Sequence, residues 1–278
     1  MAVKKRLDLL LEEIGLCSSR QTARTAIMDG AVLVNGVKET KPGTLVREDA
    51  LVELTGAWRQ TKKFVSRGGL KLEKALLEFG VEVVGRHCLD VGASTGGFTD
   101  CLLQHGAALV YAVDVGYGQL DWRLRTDDRV LVRERLNARN LCRHELYEHG
   151  APLATLAVMD LSFISILKVL PAVLPCLTTE AEIIALIKPQ FEAGVDLVGK
   201  GGVVRSAKTH AAVIASVINA GAALDLVVVN LSYSPLKGPA GNIEFLCRWR
   251  KGAGAHGQNL VVAEAIENVV AEAHSNLS

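Results

Sequence analysis

The stretch Asp90-Val-Gly-Ala-Ser-Thr-Gly-Gly-Phe98 decides the fold. It continues the apolar run that starts at His87, and the residues after it, Thr99-Asp-Cys-Leu-Leu-Gln104, carry helical spacing. A strand, a glycine-rich turn and a helix in immediate succession form a ligand-binding turn of a doubly wound α/β sheet. Gly92 permits the tight strand exit, while Gly96 and Gly97 let the backbone and the helix N-terminus approach a ligand. Outward from this turn the chain alternates between two periods. Strands are predicted at 87–91, 109–114, 130–133, 155–160, 182–187, 225–231 and 243–249, and helices at 97–105, 118–125, 163–177 and 208–221. The predicted architecture is a Rossmann-like sheet whose last strand runs antiparallel.

The turn also discriminates between ligands. Ser94 stands where a dinucleotide fingerprint needs its second glycine, which argues against a nicotinamide cofactor. S-adenosyl-L-methionine carries no phosphate; its ribose wants a carboxylate, and Asp114 ends the second strand at the position of the ribose-binding acid in such folds. Asp90 is placed near the methionine end. With Gly92, Ser94, Thr95, Gly96, Gly97 and Phe98, these acids make up the candidate cofactor-binding set. A bare αβ turn would need the glycines alone, and the two acids bracketing it favour a ligand.

Four further charged residues stand out by position. Lys71 precedes the sheet in Ser66-Arg-Gly-Gly-Leu-Lys71, Asp160 ends Ala157-Val-Met-Asp160, Lys188 ends Ile183-Ile-Ala-Leu-Ile-Lys188, and Glu244 opens the final strand. In an open sheet the carboxyl ends of parallel strands line the ligand crevice, and an antiparallel last strand begins there too. A single charge at a strand end is explained by solvation; three with Lys71 point to a catalytic site. Transfer of this donor's methyl group needs the accepting atom in line with the sulfonium carbon and its proton removed. Lys188 is the candidate base or acceptor-orienting residue, with Asp160 and Glu244 fixing its position. No metal is required, and no His or Cys spacing suggests one.

Residues 1–60 read as a separate module. A helix over Arg6–Ile14 stops at Gly15; a second runs to Met28 with Ser18 or Ser19 as its cap and Gly30 behind it; Ala31–Val34, Asn35-Gly36 and Val37 then form a hairpin, and Leu51–Leu54 a further strand. Arg20 and Arg24 share a face of the second helix. Between Arg59 and Lys74 six cations, including Lys62, Lys63 and Arg67, oppose the single Glu73. Together these are the candidate RNA-binding residues, although a solvated face would show the same charges. Residues 61–75 are the basic linker and the start of the methyltransferase domain, 76–250 its body, and 251–278 a tail with an amphipathic helix over Leu260–His274.

Composition narrows the classes. Thirty-one Lys and Arg against 30 Asp and Glu, with 49% hydrophobic residues, describe a globular chain of 278 residues. No apolar stretch reaches the length of a bilayer span, and Glu12 and Glu13 interrupt the only candidate signal sequence. The six cysteines form no CxxC pattern and are read as reduced thiols of a cytoplasmic protein.

The first module resembles the S-four-like RNA-binding domain of a small-subunit ribosomal protein, on the run from Ser19 through Arg24, Asp29-Gly30 and Val32–Val37. A wider resemblance rests on Val65-Ser-Arg-Gly-Gly-Leu-Lys-Leu72, Asp90–Asp100, Ala112-Val-Asp-Val-Gly-Tyr-Gly-Gln-Leu120, Met159-Asp-Leu-Ser-Phe-Ile-Ser165, Ile187-Lys-Pro-Gln-Phe-Glu192 and Gly238-Pro-Ala-Gly-Asn-Ile-Glu-Phe245. These segments are similar to the TlyA family, over roughly residues 5 to 250. That resemblance implies an S-four-like domain joined to an FtsJ-like methyltransferase, S-adenosylmethionine-dependent 2′-O-methylation of cytidine in ribosomal RNA of one or both subunits, and a catalytic tetrad at Lys71, Asp160, Lys188 and Glu244. The partner it implies is ribosomal RNA or a ribosomal subunit. The family also carries a haemolysin label. A membrane-active haemolysin would need a membrane-binding element, and the acidic helix at Leu260–His274 is a poor one; a catalytically silent RNA binder would have a damaged tetrad, whereas all four members are present.

Overall fold

The computed structural model describes residues 4–17, 19–55, 63–199, 201–252 and 259–277. Its N-terminal part contains β1 (Lys4–Arg6), α1 (Leu7–Glu13), α2 (Arg20–Met28), β2 (Val32–Val34), β3 (Val37–Glu39), β4 (Leu45–Arg47) and β5 (Val52–Leu54). Ser19 caps α2, its Oγ accepting the Thr22 amide at 3.1 Å, and Ser18 lies outside the described residues. Asn35 and Gly36 both have positive φ, the requirement of a type I′ turn, and they set the Val34–Val37 register of the β2–β3 hairpin. Arg6 belongs to β1 rather than to the first helix, because β1 pairs with β4, a strand that the sequence pattern did not show. Leu7, Leu10, Leu11, Ala23, Ala26, Ile27, Val32 and Val46 form a small core of their own.

The remainder is a seven-stranded sheet. It contains β6 (His87–Val91), β7 (Leu109–Val113), β8 (Val130–Arg133), β9 (Ala154–Met159), β10 (Leu177–Ile187), β11 (Leu226–Tyr233) and β12 (Phe245–Lys251). The order across the sheet is β11-β12-β10-β9-β6-β7-β8, parallel except for β12, which runs antiparallel to both neighbours. Both faces are covered, which is why Ile183–Ile187 is a continuous apolar run rather than an alternating one. Helices α3 (Gly68–Glu78) and α4 (Gly97–Gln104) cover one face, α5 (Ala207–Ala222) and α6 (Asn259–Leu277) the other.

Three helical expectations need correction. No helix was expected between β5 and β6, yet α3 fills that space, burying Leu72, Ala75 and Leu76 at helical spacing. Helix 118–125 is reduced to one turn, Trp122–Arg125: Gly118 has φ +68° and Asp121, whose side chain accepts the Arg123 amide, caps the turn late. Helix 163–177 is broken into the turns Ile166–Lys168, Leu170–Val173 and Leu174–Cys176, since Pro171 and Pro175 lack the amide a continuous helix needs. Strand β10 correspondingly starts at Leu177, five residues early, through an irregular stretch.

Helix α6 packs its apolar side on the sheet, with Ile266, Val270 and Ala273 buried. Among the described residues no helix is long and apolar enough to cross a membrane.

Candidate active site

Strand β6 delivers the chain to the glycine turn at the carboxyl edge of the sheet. Gly92, at φ +88°, lies so close to the end of β9 that a Cβ would sit 2.9 Å from the Asp160 carbonyl oxygen. Gly97 opens α4 against the start of α3, where a Cβ would meet Ser66 Oγ at 2.2 Å and the Gly69 amide at 2.9 Å. These two contacts pull the β9 end and α3 onto the turn. They therefore bring Asp160 and Lys71 to it.

A cavity of about 720 Å³ opens over this edge, within the usual range for a small-molecule site. Gly92, Ser94, Thr95, Gly97 and Phe98 line it, with Asp114 on the next strand end. Asp114 Oδ2 accepts the Ser94 amide at 2.8 Å and Oδ1 accepts the Gly116 amide at 2.7 Å, which locks the carboxylate in the wall and leaves each oxygen a further lone pair. Two of the expected cofactor contacts sit behind the wall instead. Gly96 is covered by Leu120 and Leu124. Asp90 is fully buried, its Oδ2 accepting the Thr99 hydroxyl at 2.6 Å, and burial, outweighing that hydrogen bond, pushes its carboxyl up to about 7.

The four charged residues meet as two ion pairs. Lys188 Nζ lies 2.6 Å from Asp160 Oδ1 and donates to Ser162 Oγ at 3.0 Å. Lys71 Nζ donates to Glu244 Oε2 at 2.6 Å. Lys71, Asp160 and Lys188 line the cavity, whereas Glu244, 1% exposed, stands behind Lys71. Burial works to discharge Lys71, but Glu244 and then Asp160 override it and hold its pKa above the usual lysine value. Burial likewise works to protonate Asp160, and the ammonium groups of Lys188 and Lys71 keep it below the usual carboxylate range. Each lysine is thus paired with a carboxylate, and the amine end of each pair faces the cavity.

The sequence reading missed several residues here. Phe163, three positions after Asp160, lines the cavity with φ +65° and 92% exposure. An aromatic ring so exposed, in a backbone conformation L-residues avoid, is a signal only the structure shows. Asn137 also lines the cavity, its Oδ1 accepting the Arg139 amide at 3.0 Å. Thr25, Met28, Asp29 and Thr40 of the N-terminal part close the far side. Burial pushes Asp29 up to about 6 against the pull of Arg67 and Lys71.

The basic residues expected to meet RNA occupy several different settings. Arg67 lines the cavity and fastens the two parts together, donating to the Asp29 carbonyl at 2.9 Å and to the Lys237 carbonyl at 3.4 Å. Arg20 is bound with Arg6 to the buried carboxylate of Asp8. Lys63 pairs with Glu73 at 2.5 Å, Arg24 is exposed, and Lys62 lies outside the described residues.

A sheet of this order, a glycine turn with an acid on the neighbouring strand end, and paired lysines and carboxylates at one edge define a class I methyltransferase site. Residues 64–251 match the FtsJ-like methyltransferase model and residues 5–52 the S4 domain model, and the chain belongs to the FtsJ-like methyltransferase family. It is 45% identical, over 88% of its length and 89% of the relative's, to the 16S/23S rRNA (cytidine-2′-O)-methyltransferase TlyA of Mycobacterium tuberculosis. It is 42% identical to Hemolysin A of Brachyspira hyodysenteriae, over 88% of this chain and 99% of that one. A solved structure of a protein from Streptococcus thermophilus described as a hemolysin superposes with a TM-score of 0.76 at 41% identity, covering 99% of this chain and 98% of the other.

Proposed function

We propose that this protein transfers a methyl group from S-adenosyl-L-methionine to the ribose 2′-hydroxyl of a cytidine in ribosomal RNA, acting in the cytoplasm. The observation that carries the reading is the convergence of Lys188, Asp160 and Lys71 on the cavity that also holds the glycine turn and Asp114. The residues fit the cofactor. Asp114, with its free lone pairs, would hold the ribose hydroxyls; Ser94, Thr95 and Gly97 the amino-acid end; and Val115, Leu136 and Ala138 give the apolar wall an adenine ring needs. Asp90 supports this turn from behind through Thr99. When bound, the cofactor supplies an electrophilic methyl group.

The chain's own residues prepare the nucleophile. Asp160 and Ser162 fix the Lys188 amine, leaving one direction of its nitrogen for the ribose hydroxyl: as a neutral amine its lone pair takes up the hydroxyl proton, and as an ammonium its third N–H aims the oxygen. Glu244 holds Lys71, which faces the same space as a fixed cation suited to a flanking phosphate. Phe163 offers an exposed ring for stacking the target base, as single-stranded RNA is commonly held. Arg24 and, once released, Arg67 add phosphate contacts with the N-terminal domain. The alternative of membrane lysis gains nothing from α6, whose apolar side is covered.

The test is methylation of ribosomal RNA from a strain lacking this gene by the purified protein, followed by mass-spectrometric mapping of 2′-O-methylcytidine. A new modified cytidine in either RNA is the expected result. Its absence from naked RNA and from both isolated subunits would overturn the proposal.

A further inference from the structure

Two loops leave the carboxyl ends of the adjacent parallel strands β9 and β10 and run side by side. The first is Asp160–Ser165, which leads into the turn Ile166–Lys168; the second is Lys188 and the single helical turn Pro189–Glu192. They are tied at three levels. Nearest the sheet, Lys188 meets Asp160 and Ser162. In the middle, the rings of Phe163 and Phe191 pack with centroids 5.3 Å apart. At the far end Glu192 spends both oxygens on the first loop: Oε2 accepts the Ser165 hydroxyl at 2.6 Å and Oε1 accepts the Ile166 amide at 2.8 Å.

The first loop needs such a tie. Phe163 is held with φ +65° and its ring is 92% exposed, so neither backbone preference nor burial keeps it in place. A conformation of that kind persists only where its surroundings over-determine it. The Glu192 bonds are the outer of two polar ties in those surroundings, Lys188 with Asp160 and Ser162 being the inner, and they close at the residues where the loop re-enters regular structure, beside Ser165 Oγ, which also accepts the Leu167 amide at 3.2 Å. Burial raises the Glu192 pKa, and the Ser165 and Ile166 donors oppose that rise, so the carboxylate is kept in this poorly solvated place by the loop it braces.

We propose that Glu192 is a positioning residue for the methyl transfer: through Ser165 and the Ile166 amide it sets the Asp160–Ser165 loop so that Phe163 is presented to the target nucleotide. This rests on the reading of Phe163 as a base-stacking ring. Glu192 itself is not among the residues that line the cavity.

The test is a double-mutant cycle in the full-length protein, with Phe163→Ala, Glu192→Ala and the combination assayed on ribosomal RNA at saturating S-adenosylmethionine. Each single variant should lower kcat/KM for RNA by about tenfold or more, the usual consequence of losing one stacked ring. The double variant should be no worse than the poorer single, and calorimetric affinity for S-adenosylmethionine should stay within twofold throughout. Glu192→Gln, which still accepts the Ile166 amide and can donate to Ser165, should recover most of the activity. Losses that multiply in the double variant overturn the brace and leave the stacking reading standing. Wild-type activity of Phe163→Ala removes the stacking reading and the brace with it. If Glu192→Ala does not fold, Ser165→Ala carries the same cycle, because it removes one of the two bonds and leaves Glu192 on the Ile166 amide.

Discussion

Replacing Asp114 by alanine removes the one carboxylate that reaches the cavity from the end of β7. The cost divides into two parts that the structure separates. Toward the cofactor, a charged acceptor of ribose hydroxyls is worth about 1.5–3 kcal/mol, so the dissociation constant should rise roughly 10- to 150-fold. Toward the fold, the carboxylate accepts the amides of Ser94 and Gly116; Ser94 is exposed and Gly116 half-buried, so water can replace it there. The unfolding free energy should therefore fall by less than about 1 kcal/mol. Asp114→Asn should bind no better than the alanine variant, because its NH₂ group would face one of two backbone donors now 2.7–2.8 Å from the carboxylate. Titration calorimetry with S-adenosylmethionine, alongside urea denaturation, reads both quantities. Affinity within twofold of wild type for the alanine variant would refute the assignment.

Lys188→Ala should lower turnover on the order of 100-fold or more with little change in cofactor affinity, and Lys188→Arg should be nearly as inactive if the amine accepts the hydroxyl proton; near-normal methylation by the arginine variant in single-turnover assays would make Lys188 an orienting cation instead. Deleting residues 1–60 should leave a folded, cofactor-binding sheet domain, since neither large core includes a residue before Phe64, while RNA methylation collapses and RNA binding loses steepness in salt; full-rate methylation by the truncated protein would refute this division of labour. His210, fully buried with Nδ1 2.9 Å from His274 Nε2 and Nε2 bonded to the Val204 carbonyl, has its pKa lowered to about 4 by burial and by His274. The unfolded chain protonates this imidazole near 6.5 and the folded chain does not, so its contribution to stability is complete above that pH and falls as pH drops toward 4, by about 2 kcal/mol between pH 7 and 5. Urea midpoints of His210→Phe should accordingly lose less than those of wild type over that interval, and parallel pH profiles would show that the group is not the source.

Much of this was legible in the sequence because it followed from local chemistry. Strands β6 and β8 have the predicted limits, and the others shift by a few residues at one or both ends, since apolar runs flanked by glycine or charge mark strands wherever the sheet is covered on both faces. Asp160, Lys188 and Glu244 each stand one residue beyond a strand end, so the topology alone places them together. Their pairing was not legible. That Lys71 takes Glu244, and Lys188 takes Asp160, depends on where α3 packs, and Gly69 and Gly97 decide that through close approaches no pattern records. Proline at 171 and 175 was readable and outweighed the apolar spacing that suggested a long helix. That Arg20 also meets Asp8 was not legible either, because this partner is twelve residues earlier, in another helix.

The cavity wall contributed by Thr25, Met28, Asp29 and Thr40 makes the chamber a joint property of two cores. Whatever fills it from Asp114 to the α2 end touches both, and favours the docked arrangement that Arg67 fastens. Linkage then works in both directions: a compound spanning the chamber behaves as molecular glue between the two domains, and an RNA that draws the N-terminal domain outward weakens that compound by the same factor by which the compound weakens the RNA. Inhibitors long enough to reach α2 would thus oppose RNA through the domain arrangement as well as by overlap at Lys71, Lys188 and Phe163, whereas those confined to the Asp114 side would compete with the methyl donor alone.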